Sequence, residues 1–150
     1  MEIDINFELS IILSVAIKII VATICGGIIG WDRERKNKVA GLRTNILICV
    51  GSAIFTIGSF YTASLYGADP TRIISTIVTG MGFLGGGVIM KEGDRIIGIT
   101  TAAFIWVCSA IGILAGMGMF IIPIVLTFGL LFLSYLFEKV EKNMKREDKV

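Results

Sequence analysis

The chain has no histidine, only two prolines and few charges: 17% of its 150 residues are Asp, Glu, Lys or Arg, against about 25% in soluble domains. Its three cysteines, Cys25, Cys49 and Cys108, are scattered through apolar runs. No metal-ligand spacing or redox pair can be built from this set, and the cysteines read as small buried hydrophobes. No nucleophile stands beside a base, so neither an enzyme nor a cofactor is expected. The first eight residues carry Glu2, Asp4 and Glu8 without a lysine or arginine, which excludes a secretory signal. The apolar runs do not alternate with polar residues, which excludes a membrane barrel. Nothing points to nucleic acid.

What is present is apolar sequence and glycine. Hydrophobic residues make up 55% of the chain and glycine contributes 18 residues; the mean hydropathy is +0.85. Runs near the length of a membrane span recur throughout. Residues 99–137 hold no charge at all. As one helix they would reach about 58 Å, twice a bilayer core, so they must fold back, with Gly116-Met117-Gly118 as the break. The expected architecture is an all-α bundle of five transmembrane helices, at about 9–30, 44–65, 71–90, 99–117 and 119–137, with a short basic tail over 138–150. All basic residues except Lys18 and Arg72 fall in the segment 31–43, the turn 91–95 or the tail. The positive-inside rule then places these three segments in the cytoplasm and the N-terminus outside; four spans would put the basic tail on the wrong side. The lipid bilayer is the first partner implied, and the tail is expected as a short helix or frayed end on its cytoplasmic surface.

Small and polar residues recur at helical spacing inside the spans. Ser10, Ser14, Lys18 and Cys25 share one face of the first. Lys18 is an intramembrane charge, costing at least ~3 kcal/mol unless it snorkels or is paired. It reads either as a pathway or counter-ion residue, or as a structural cation reaching the interface or pairing with Asp69 or Glu8. Gly26 and Gly30 form a GxxxG pair at the end of that span. Asn45, Cys49, Ser52, Thr56, Ser59 and Ala63 make a weakly polar seam in the second, which faces other helices or lines a narrow wet cavity. Gly112 and Gly116 continue a small-residue face of the fourth with Ala102 and Ser109.

The densest glycine run is GMGFLGGGVIM, residues 80–90. Each glycine costs roughly 1 kcal/mol in a soluble helix, but in a bilayer the helix survives and glycine admits a close neighbour. Gly82, Gly85, Gly86 and Gly87 are therefore expected at a tight helix contact, where Gly86→Leu would overpack. The alternative is a loosened helix with exposed carbonyls at Gly85–Gly87, as in broken transporter helices. The turn KEGDR (91–95) is expected to be simply solvated. The segment WDRERKNKVAGLR (31–43) mixes acids and bases, and Asp32, Arg33, Glu34 and Arg43 lead directly into Thr44 and Asn45.

Taken in order, GGIIGWDRER (26–35), AGLRTN (40–45), GSAIF (51–55), DPTRI (69–73), GMGFLGGGVIM (80–90) and GITTAAFIW (98–106), then Gly112 and Gly116, resemble the MgtC/SapB family of bacterial inner-membrane proteins. Where the family commonly has glutamate before arginine, this chain has Asp32-Arg33, which keeps the charge pair. The resemblance implies a short, SapB-type member without the soluble C-terminal domain of the virulence-type proteins. It implies a multi-pass, non-enzymatic protein of the bacterial cytoplasmic membrane, connected with magnesium homeostasis. By match to the motifs it implies a polar site at Asp32, Arg33, Arg43, Thr44 and Asn45, faced by Thr100 and Thr101, with Gly82, Gly85 and Gly87 as its packing wall. It also implies a membrane-protein partner, the rotary ATP synthase being the family's candidate. The expected function is regulatory or adaptor work in magnesium or membrane-energy homeostasis; the rival is a small magnesium or proton transporter or channel component, which needs a homo-oligomer.

Overall fold

A computed structural model describes residues 5–147, with side chains over 8–144. Glu2, Asp4, Lys145, Arg146 and Lys149, used above to read the two ends, therefore lie outside the described side chains. The chain forms α1 (Ile5–Arg35), α2 (Leu42–Tyr66), α3 (Thr71–Gly87), a hairpin of β1 (Met90–Glu92) and β2 (Arg95–Ile97), α4 (Ile99–Gly116) and α5 (Ile121–Glu147). The helices run up and down. Four are long and apolar enough to cross a membrane, over Glu8–Arg35, Leu42–Tyr66, Ile99–Gly116 and Ile121–Met144. α3, with 17 residues, is not among them. Large apolar side chains such as Leu13, Phe55, Phe83 and Phe132 cover the outer faces, as a lipid solvent requires.

Local chemistry sets the helix ends. α1 stops where Asn37 enters the left-handed region at φ 51°. The Lys38 N–H then closes back on the Arg33 carbonyl at 3.1 Å, a Schellman-type end. Gly67, φ 65°, ends α2. Asp69 Oδ1 accepts both the Thr71 N–H and its hydroxyl at 2.8 Å, which orders the turn into α3 and holds the Asp69 carboxyl below its ordinary pKa.

α2 and α4 form the centre. Asn45, Cys49, Ser52, Thr56 and Ser59 are all buried, as the seam reading requires, and they bond to backbone carbonyls or to side chains of α4. The Asn45 amide donates to the Ala40 and Gly41 carbonyls at 2.9 and 2.7 Å. The Cys108 thiol donates to Asn45 Oδ1, and the Cys49 thiol to the Cys108 carbonyl, each at 3.1 Å. Ser52 and Ser109 share a 2.9 Å bond. The glycines permit this approach: a Cβ on Gly112 would run into the Cys49 carbonyl, and one on Gly116 would stand 2.7 Å from that of Ala53. Gly26 and Gly30 do the same for α1, against Asn45 O and Leu42 Cα, each at 2.7 Å.

The structure corrects the sequence reading in three places. The segment 31–43 is not all loop: α1 continues through Arg35, so its charges project at helical angles. α3 ends at Gly87 rather than at residue 90, and KEGDR is the tip of an exposed antiparallel hairpin, pairing Met90 with Ile97 and Glu92 with Arg95. Gly98, φ 92°, makes the return possible, because a Cβ there would strike the Val88 carbonyl. The fifth helix runs on unbroken into the tail as far as Glu147, the helical form of the tail that the sequence allowed. Finally, the glycine run of α3 is not a tight contact within the chain. Gly85 alone packs, against Ala102, while a Cβ on Gly82, Gly86 or Gly87 would meet nothing within 4 Å. The run keeps ordinary helix as far as Gly87, and its open glycines face outward because the Gly85 side of the helix takes α4.

Two alanine substitutions separate these glycines. In detergent-solubilised monomer, Gly112→Ala should lower unfolding stability by about 1–3 kcal/mol, since the obstacle is backbone that cannot swing away. Gly86→Ala should leave stability unchanged or higher. Equal losses in denaturant unfolding would show that the open face of α3 is a contact.

Candidate functional site

The helical continuation of α1 sorts the charges of WDRER by angle. Arg33 turns inward and is 1% exposed. Its guanidinium lies 4.1 Å from the centroid of the Phe104 ring, a cation–π distance. Nη2 donates to Thr101 Oγ1 across a long 3.4 Å, and Nε has no partner among the described residues. A guanidinium carries five N–H donors, so this buried cation is underused. Asp32, one position back, turns toward the edge, where the Lys36 ammonium pairs with Asp32 Oδ2 at 3.0 Å and Glu138 Oε1 at 3.1 Å. Burial pulls the Lys36 pKa down, but the bonds and charges of Asp32 and Glu138 outweigh it, and the net shift is upward.

Glu34 has a third role. Its Oε2 accepts the Leu42 N–H at 2.7 Å, satisfying one of the free donors at the start of α2. Asn45 belongs to the buried seam. Arg43 and Thr44 are exposed and take no part in the Arg33 cluster. Of the proposed polar set, Arg33 and Thr101 are brought together, Thr100 lines the adjoining cleft, Asp32 is linked through Lys36, and Glu34 and Asn45 organise the α1–α2 connection. Gly82 and Gly87 do not wall this site, since their nearest space is an outward groove with Phe83 and Val88.

The cleft itself was not legible beforehand. It has a volume of about 460 Å³ and lies between the end of α1, the start of α4 and the second half of α5. Buried Arg33 and Phe104 form its floor with Thr100 beside them, Leu130, Leu133 and Phe137 an apolar wall, and Lys38, Glu138 and Glu141 its charged mouth. The missed signal is the inward stripe Pro123, Thr127, Leu130, Ser134, Glu138 on α5, at spacings of three and four. No group of three or more potential metal-ligating side chains occurs among the described residues.

Lys18 stands apart, in a second cleft between α1 and α2, of about 630 Å³, with Ser10, Ser14, Ile57, Gly58 and Tyr61 among its lining residues. Its Nζ reaches toward Gly118, at the far end of α4. No ion pair with Glu8 or Asp69 occurs among the described residues.

The Lys36 clasp gives a pH prediction. Its folded pKa is raised, so its stabilisation is complete below the ordinary value of 10.5 and fades as pH rises through the higher folded value. Lys36→Gln should cost about 0.5–1 kcal/mol at neutral pH. Unfolding followed from pH 8 to 11.5 should show native chain and variant converging only at the alkaline end.

The MgtC family profile matches residues 19–143, from the middle of α1 almost to the end of α5. YhiD of Escherichia coli (strain K12), named "Putative magnesium transporter YhiD", is 46% identical over 110 residues, covering 69% of this chain and 51% of its own length. Protein MgtC of Brucella abortus (strain 2308) is 46% identical over 100 residues, covering 65% and 40%. Protein MgtC of Salmonella typhimurium (strain 14028s) is 42% identical over 104 residues, covering 69% and 44%. The chain thus spans about half the length of the curated relatives it matches. No solved structure matches it. A profile running through the Arg33 cluster, the α2–α4 seam and α5 leaves one assignment: the chain is a membrane protein belonging to the MgtC family.

Proposed function

We propose that the chain is a regulatory or adaptor protein of the bacterial cytoplasmic membrane, acting in magnesium or membrane-energy homeostasis through contacts with a membrane-protein partner. The observation that carries this reading is the state of the α2–α4 seam. Its polar side chains are buried and bonded across to α4 or to backbone carbonyls, which supports packing over a wet path. The magnesium connection is drawn from the name of the YhiD relative. The contacts would use the outer faces, where α3 leaves open glycines and Phe83 is 83% exposed. A rotary ATP synthase is the partner that the family resemblance puts forward.

The proposed topology has five crossings, with the N-terminus outside. α3 connects the end of α2 with the start of α4, which lie at opposite ends of the bundle. At about 26 Å it falls slightly short of the hydrocarbon core, and residues 88–90 complete the distance. The hairpin, the α1–α2 connection and the end of α5 then share the basic, cytoplasmic side.

A small magnesium or proton transporter is the second reading, favoured by Lys18 in its cleft. It requires a homo-oligomer, because five short helices are few to enclose a conduction path. Ion flux in proteoliposomes under an imposed potential separates the two. The expected result is no magnesium or proton flux from folded, inserted protein. Flux abolished by both Asp32→Asn and Lys18→Met would replace the adaptor with the transporter.

A further inference from the structure

Two independent features meet at the α1–α4–α5 cleft, and each attracts negative charge. Arg33 is buried there with an unpartnered Nε and one long hydrogen bond. The cleft is lined beside it by Thr100, in the first turn of α4. The N-terminus of α4 begins at Gly98 with no side-chain cap, so its first N–H groups lack intrahelical acceptors and carry the positive end of an 18-residue helix. A helix N-terminus with a guanidinium beside it is a phosphate-binding arrangement. Lys38 adds a cation at the mouth, while Thr100 and Ser134 add hydroxyls.

The remaining wall decides which phosphate. Leu130, Leu133 and Phe137 of α5 line the same cleft, and neighbouring side chains on that helix, Phe132 and Leu136, are exposed. A free phosphate has no use for that surface, whereas a phosphate attached to acyl chains covers it. The acids at the mouth do not cancel the floor: Glu138 is engaged by Lys36 at 3.1 Å, and Lys36, Lys38 and Lys142 line the adjoining surface with Glu138 and Glu141.

We propose that the cleft binds one anionic phospholipid, its phosphate held by Arg33 and the N-terminus of α4, with Lys38 at the mouth and the acyl chains along α5. A singly charged phosphodiester matches one guanidinium and one helix terminus. The lipid would tie α5 to the Arg33 end of α1. This inference stands on the membrane-spanning bundle and not on the adaptor reading: loss of partner contacts with lipid retention intact would remove only the latter.

The test is lipid retention by the full chain. Protein extracted from membranes of phosphatidylglycerol and phosphatidylcholine with identical acyl chains is delipidated stepwise and analysed by native mass spectrometry. The expected result is one phosphatidylglycerol retained at least tenfold over phosphatidylcholine. Arg33→Gln should reduce that preference at least fivefold and Lys38→Gln more modestly, while Lys139→Gln, outside the cleft, should leave it unchanged. If Arg33→Gln does not fold, Ser134→Leu, which fills the cleft and keeps every charge, must lower retention in the same way. Equal retention of both lipids, or an undiminished preference in Ser134→Leu, overturns the proposal. In a lipid-poor detergent sample, inorganic phosphate at millimolar concentration should not raise the melting temperature. An increase that is lost in Lys38→Gln would assign the site to free phosphate and overturn the lipid.

Discussion

Everything in this bundle depends on how closely α2 and α4 approach. A membrane supplies no hydrophobic force to press two apolar helices together, so the contact must come from close backbones and interhelical bonds. Here glycine and hydrogen bonding act at the same place. Gly112 and Gly116 let α4 lie on the Cys49 and Ala53 backbone, and at that separation Cys108 reaches Asn45 and Ser52 reaches Ser109. With bulkier residues at 112 and 116 the bonds would be out of range. With those bonds absent, the small residues would have little to hold.

Asn45 links this centre to the charged end. Its side chain satisfies the Ala40 and Gly41 carbonyls just before α2 while accepting from Cys108 of α4. Glu34 caps the same helix from the other side. The α1–α2 connection is therefore held by side-chain bonds from both helices, and these fix the angle at which the end of α1 presents Asp32, Arg33 and Lys36. A buried arginine in such a frame has few ways to find a counter-charge. It stacks on Phe104, makes one long bond to Thr101, and lines a cleft with its buried Nε unpartnered. Lys36 sits on the surface of the same helix end and finds two carboxylates at ordinary distances.

The helical seams were legible in the residues because packing in a membrane is written in residue size. Small and hydroxyl-bearing side chains at spacings of three and four mark helix contacts for α2 and α4, and the buried set Asn45, Cys49, Ser52, Thr56 and Ser59 follows that pattern. The same rule misread α3. Gly82 and Gly86 have the spacing of a contact, yet they lie in open space within the chain. A glycine stripe states that a neighbour can come close; it does not state which face the neighbour takes. The α3–α4 contact uses Gly85 and Ala102, which turns the other glycines outward. The Arg33 site was half legible. The motif named Arg33 and Thr101; Ser134 and Glu138 lie on a stripe of α5 at spacings of three and four, but the stripe alone does not say that it faces Arg33.

The sequence by itself determined the membrane-spanning character, the helical content, the break at residues 116–118 and the identity of the main seam. Each of these follows from composition or from a period within one helix. Only the tertiary structure decided that α1 carries its charges onto helical faces, that a hairpin follows α3, and that α5 meets Lys36 through Glu138 and lines one cleft with Arg33. Those features depend on how helices far apart in the chain rotate against one another, and rotation is settled by mutual packing rather than by the pattern of any single segment.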